Sequence, residues 1–205
     1  MGLKRYLCGN EMERMPDMAF RAMSVAYKIM DLFYPFESQI SSFGIGEGFT
    51  VVDYGCGPGR YTQRMSRLVG EQGKVYAVDI HQLAIRSVKE KIWKYNLQNV
   101  EPVLVEGYSC DINDHTADAI YALDMFHMIK HPAPFLEELR RIVKESGFLI
   151  IGDGHQPRAE TTAKILSSNC WTIVGETRQH LKCTPVCGST PCGLSARLND
   201  TSRTL

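Results

Sequence analysis

The chain has 205 residues, 44% hydrophobic and 22% charged, the proportions of a globular domain with one sizeable core. Lysine plus arginine and aspartate plus glutamate stand at 23 each, and a neutral chain is poorly suited to wrapping a nucleic-acid backbone. No apolar run reaches the length of a membrane span, and residues 1–6 lack the apolar core of a secretory signal. These features point to the cytoplasm and to free thiols for the seven cysteines.

Residues 1–46 form an N-terminal segment rich in methionine and aromatic side chains. Pro16 suits a helix start, and residues 17–34 carry Met18, Phe20, Met23, Tyr27, Met30, Phe33 and Tyr34 with few charges. Such a helix either packs against a sheet edge or covers an apolar ligand as a lid, since methionines and aromatics adapt to irregular shapes. Residues 47–186 alternate strand and helix patterns. A short strand at 50–54 is followed by a helix over 60–69, with Tyr61, Met65, Leu68 and Val69 on one face and Gly70 closing it. The second strand, 74–79, leads to a helix over 82–95 with Ile85, Val88 and Ile92 on one side. Strands at 100–105 and 119–123 come next, then a helix over 134–144 with Phe135, Leu139 and Ile142 in register. A strand at 148–151, a helix over 159–168, and an antiparallel pair at 171–176 and 180–186 complete the domain. Buried strands alternating with helices imply a doubly wound, Rossmann-like α/β fold. Its sheet is mostly parallel and seven-stranded, with an antiparallel closing strand. Residues 187–205 are polar and Gly/Ser/Thr-rich, and are expected to be a disordered tail. Cys183, Cys187 and Cys192 match no common zinc spacing, so no metal site is expected there.

One stretch carries the most information: Val51-Val52-Asp53-Tyr54-Gly55-Cys56-Gly57-Pro58-Gly59-Arg60-Tyr61-Thr62. An apolar strand runs into an acid, then into three glycines at alternate positions, then into a helix. Glycines there let a ligand press against bare backbone, and the helix start offers free N–H groups. Asp79 ends the second strand within Val78-Asp79-Ile80-His81, so neighbouring strands bring Asp53 and Asp79 side by side. A carboxylate at that second position can accept both ribose hydroxyls of an adenosine. Its plainer role is a helix cap or turn former. Two adenosine cofactors fit this frame, a nicotinamide dinucleotide and S-adenosylmethionine. The dinucleotide pattern G-x-G-x-x-G places its third glycine at Arg60, where a side chain hinders helix–strand packing. The shorter loop suits the cationic amino-acid tail of S-adenosylmethionine better.

On these residues the chain resembles the class I S-adenosylmethionine-dependent methyltransferases, near the broad group that includes ubiquinone/menaquinone-type and other small-molecule enzymes. The resemblance spans residues 45–186. Residues 51–59 match the first motif and 75–79 the acid-ended second strand. Residues 117–123 match the fourth-strand motif, and 138–144 followed by 147–151 the helix and strand after it. The resemblance implies a cofactor site in which Asp53 and the backbone of Gly55 and Gly57 hold the methionine end, Asp79 the ribose hydroxyls, and Ile80 lies against adenine. Leu123 and Asp124 end the fourth strand beside the sulfonium, and Cys56, Gly59 and His81 complete the cofactor-binding set. The family's acid after the third strand is replaced, within Glu106-Gly107-Tyr108-Ser109-Cys110, by Tyr108 or Ser109.

Methyl transfer from a sulfonium is an in-line displacement that the protein mainly positions and desolvates. A base is needed only where the acceptor must lose a proton. Asp124, His127 and His131 follow the fourth strand, and Asp153 and His155 the fifth. His127 is the candidate base, because histidine titrates near neutrality, with Asp124 as the second catalytic candidate. The plain alternative is a histidine that packs the following helix. Pro132 and Pro134 argue against a helix that would let His127 and His131 share a metal. Methyltransferases acting on amide or amino nitrogens often carry Asn/Asp-Pro-Pro-aromatic where this chain has Asp124-Met125-Phe126-His127. A small acceptor with an apolar face is therefore expected, rather than nucleic acid or a protein glutamine. The competing readings are a nicotinamide-dependent oxidoreductase and a non-catalytic cofactor-binding or thiol–metal protein.

Overall fold

The computed structural model describes residues 14–33 and 43–186. Its strands are β1 (Thr50–Tyr54), β2 (Lys74–Asp79), β3 (Val100–Leu104), β4 (Ala117–Ala122), β5 (Val143–Gly152), β6 (Trp171–Glu176) and β7 (His180–Pro185). They form one sheet in the order β3-β2-β1-β4-β5-β7-β6. Strand β7 runs antiparallel to both β5 and β6, and the other pairings are parallel. Burial explains the composition of each strand. Val51, Val52, Ile120, Tyr121 and Ala122 sit at the centre, covered on both faces, and read as unbroken apolar runs. At the edge, β3 exposes Glu101 and Leu104, and Glu101 pairs with Lys74 at 2.6 Å.

The helices are α1 (Asp17–Phe33), α2 (Thr62–Val69), α3 (Gln82–Tyr95), α4 (Pro132–Ile142) and α5 (Arg158–Ser167). Alternation along the strands splits the core in two. Val52, Ile120, Leu149 and Ile151 meet Phe135, Leu136, Leu139 and Ile142 of α4 on one side. Val51, Ala119 and Tyr121 meet Met65 and Val69 of α2 on the other. Each such fully buried side chain contributes about 1.5–3 kcal/mol. Trp171 is buried against the first cluster and donates from Nε1 to Leu136 O at 3.0 Å.

Helix α4 starts two residues earlier than the periodicity suggests, because Pro132 rather than Pro134 opens its first turn. It ends at Ile142 and passes directly into β5. Val143 pairs with Ala117 before a register break, after which Phe148 pairs with Ala119. Gly147 sits in that break, where a Cβ would lie 2.9 Å from Asp118 O. Tyr34, Cys8, Cys187, Cys192 and the tail 187–205 lie outside the described residues. Cys56, Cys110, Cys170 and Cys183 are buried free thiols. Among the described residues, no helix is long and apolar enough to cross a membrane.

Candidate active site

The strand order reverses at β1, which has β2 on one side and β4 on the other. Crossovers diverge there and leave a crevice at the C-terminal strand ends. A cavity occupies it, with Asp53, Asp79, Leu123 and the turn after β1 as its floor. Gly55 N and Cys56 N both donate to Val78 O, at 2.8 and 3.0 Å, which ties the turn to β2. Gly57 N donates to Asp79 Oδ2 at 2.8 Å and His81 N to Asp79 Oδ1 at 2.8 Å. Asp79 therefore shapes the turn and keeps further lone pairs toward the cavity. Burial raises its pKa, and the His81 and Gly57 amides pull it back down.

Asp53 is buried beneath the same turn, and its Oδ2 has no hydrogen-bond partner among the described residues. Burial pushes its carboxyl up to about 8. The nearby Tyr121 hydroxyl works against the shift, and the charge of Asp79 adds to it. Gly57 has φ +52°, and a Cβ there would meet nothing within 4 Å. Neighbouring Gly55, at φ +78°, would drive a Cβ to 2.6 Å from Met125 Cγ. An orphaned buried carboxyl oxygen, a bare turn and a diol-competent acid fit S-adenosylmethionine: a cation against Asp53, backbone against Gly55 and Gly57, sugar against Asp79.

The remaining walls are mostly apolar. Ile80, Met125, Met128, Ile129 and Phe135 close one side, and Met15, Phe20, Met23 and Tyr27 the other. The first turn of α1 is fixed by ring stacking: Phe20 lies 4.4 Å from His81 at 30°. His81 caps α3, its Nδ1 accepting from Leu83 N at 3.1 Å. Farther along α1, Tyr27 lies under the Arg60 guanidinium at 4.5 Å, and Asp31 pairs with Arg60 at 2.7 Å. Arg60, at the position a dinucleotide site gives to glycine, thus reaches outward to α1. Tyr54 donates its hydroxyl to Tyr108 O, which holds Tyr108 in the wall.

Asp53, Gly55, Cys56, Gly57, Asp79, Ile80, His81, Tyr108, Leu123 and Asp124 all border the cavity. Three expected site residues do not border it. Gly59 turns away from the crevice; its N donates to Cys56 O at 3.0 Å, and a Cβ would sit 3.0 Å from Val88 of α3. It lets the loop lie close to that helix. Ser109 faces solvent. His127 lies in a 3₁₀ turn over Phe126–Met128. Three residues per turn put Met125 and Met128 on the cavity side, Phe126 in the core, and His127 toward the loop after β5. There its ring meets His155 edge-on at 5.0 Å. The histidine of this segment that borders the cavity is His131. Cys183 is buried in the core, where burial pushes its thiol up to about 12. Sequence periodicity singled out Phe20, Met23 and Tyr27, but Arg60, Tyr61, Met125 and Met128 carried no cofactor signal of their own.

Several known proteins are similar to this chain. A methyltransferase domain family matches residues 52–151. A crystal structure of a SAM-dependent methyltransferase from Aquifex aeolicus is 31% identical. It covers 78% of this chain and 97% of its own, with a TM-score of 0.66. The ubiquinone/menaquinone biosynthesis C-methyltransferase UbiE of Escherichia fergusonii is 28% identical over 136 residues, which are 66% of this chain and 54% of that protein. The chain spans about half the length of the curated relatives it matches. A SAM-dependent O-methyltransferase from Thermotoga maritima shares the fold at 18% identity and a TM-score of 0.57, over 77% of this chain and 67% of its own. Neither the family match nor these relatives supports the nicotinamide reading. The chain belongs to the class I S-adenosylmethionine-dependent methyltransferases, whose cofactor is S-adenosylmethionine.

Proposed function

We propose that this chain transfers a methyl group from S-adenosylmethionine to a small acceptor with a largely apolar face. The cavity carries this reading: an acid pair and a bare glycine turn form its floor, and methionine and aromatic side chains form its walls. In this reading Asp79 takes the ribose hydroxyls, and Ile80 lies against the adenine. Asp53, with the turn at Gly55 and Gly57, holds the amino-acid end. When bound, the cofactor supplies an electrophilic methyl group on a sulfonium. The residues of the chain then have two tasks, to align a nucleophile and to exclude water. Phe20, Met23 and Tyr27, with Met15 just before the helix, give α1 the part of a lid over the crevice. Met125 and Met128 offer an adaptable surface to the acceptor. Asp124 is exposed at the end of β4, within electrostatic reach of Tyr27 and Tyr61. Burial raises the pKa of both tyrosines, so both stay protonated near neutral pH and act as hydrogen-bond donors. Asp124 is then the group placed to orient an acceptor hydroxyl or receive its proton.

Similarity to the ubiquinone/menaquinone biosynthesis enzymes supports a small-molecule acceptor. Transfer of labelled methyl from S-adenosylmethionine to a panel of apolar phenols and ring compounds tests the reading. Turnover that Asp124→Ala lowers while cofactor affinity holds is the expected result. Cofactor binding with no transfer to any acceptor would leave a binding protein.

A further inference from the structure

Helix α1 has a second apolar stripe, opposite the one that faces the cavity. Phe20, Met23 and Tyr27 point inward at helical spacing. Met18, Val25 and Ile29 recur half a turn away and are 81%, 56% and 53% exposed. A lid needs only its inner stripe, so the outer one calls for its own explanation. Arg21 and Lys28 flank that outer stripe along one side. That side faces α3: Asp17 and Phe20 meet His81 at its N-cap, and Lys28 and Asp31 lie within electrostatic reach of Lys91. Helix α3 continues the pattern. Its Trp93 is 87% exposed, among Arg86, Lys89 and Lys94.

The charge is uneven in a chain that is neutral overall. Helices α2 and α3 together carry Arg64, Arg67, Arg86, Lys89, Lys91 and Lys94 against the single carboxylate of Glu90. The acids of this face are already paired: Asp17 with Arg14, Asp31 with Arg60, Glu90 with Arg86. We propose that this face, the outer stripe of α1 with the basic, tryptophan-bearing surface of α3, docks on an anionic lipid bilayer. Aliphatic side chains enter the acyl boundary, tryptophan sits at headgroup level, and lysines and arginines meet acidic headgroups. Exposed Met, Val and Ile favour lipid over RNA, whose backbone offers nothing for an aliphatic ridge. The proposal stands apart from the methyl-transfer reading and does not need it.

The test is binding of the full chain to phosphatidylcholine vesicles with and without phosphatidylserine, followed by co-sedimentation and tryptophan emission. The chain has two tryptophans, and Trp171 is buried, so a blue shift reports Trp93. We expect binding and a blue shift only with phosphatidylserine, both weakened by salt. Changing Met18, Val25 and Ile29 together to Ser should weaken binding by about tenfold or more, with S-adenosylmethionine affinity and melting temperature unchanged. If that variant does not fold, Trp93→Ala and Arg21→Glu replace it, each expected to weaken binding. Equal binding to both vesicle types, or none, overturns the proposal. So does a dimer in solution that the serine variant dissociates, or preferential binding to single-stranded RNA.

Discussion

Replacing Asp53 by Asn probes the buried carboxyl beneath the glycine turn. Burial raises its pKa from the ordinary 3.8 to about 8 in the folded protein. The unfolded chain returns it to the ordinary value. Between those two pH values the folded state holds a proton that the unfolded state has lost, so rising pH favours unfolding. The stability contribution is complete below about pH 4 and is lost as pH climbs through about 8. The slope is about 1.4 kcal/mol per pH unit, which gives about 4 kcal/mol between pH 4 and pH 7 as an upper bound. Asparagine keeps the shape and cannot ionise. Ligand-free Asp53→Asn should therefore be more stable than wild type at pH 7, by up to about 4 kcal/mol, with the gap closing toward pH 4. Urea unfolding at several pH values measures this directly. Parallel profiles for the two proteins would refute the reasoning. The same carboxyl should give up its proton when a cation settles against it. Wild-type binding of S-adenosylmethionine at pH 7 should then release protons, seen as a buffer-dependent heat, and the Asn variant should not.

Gly57→Val should leave the fold in place at a cost of about 1–2 kcal/mol for its positive φ, because a Cβ at this position meets nothing within 4 Å. It should abolish cofactor binding, since that side chain fills the cradle; near-normal affinity by calorimetry would contradict this. Asp79→Ala should weaken cofactor binding by about tenfold or more and loosen the turn, because Gly57 N and His81 N lose their acceptor. Unchanged affinity would remove its ribose role. His127→Ala should leave turnover within about twofold of wild type, because the ring meets His155 and does not border the cavity. A large loss of turnover at constant cofactor affinity would return it to the site.

The central strands β1 and β4 were legible because each is a nearly continuous buried run, and the glycine–acid spacing marked the crevice at their ends. The acids held their expected places, since a strand-end residue is fixed by register: Asp53 pairs with Ala77 and Tyr54 with Val78. What sequence did not reveal follows from local geometry. A 3₁₀ turn and an α-turn after β4 face different residues inward, and only the structure shows which one forms. Two prolines spaced two apart offer two equally good helix starts. The turn after β3 exposes Ser109 while placing Tyr108 on the cavity, a choice set by the Tyr54 hydroxyl from a distant strand. The α1 segment was readable as a helix, but whether its aromatic side met the sheet edge or the crevice depended on the Phe20–His81 stack.

Isothermal titration of the wild-type chain with S-adenosylmethionine, beside NAD and beside Gly57→Val, tests the central claim most directly. The expected result is one-to-one binding of S-adenosylmethionine, no response to NAD, and loss of binding in the variant while its melting temperature shows a folded protein. Silence toward S-adenosylmethionine in the folded wild-type chain, or undiminished binding by Gly57→Val, would contradict it.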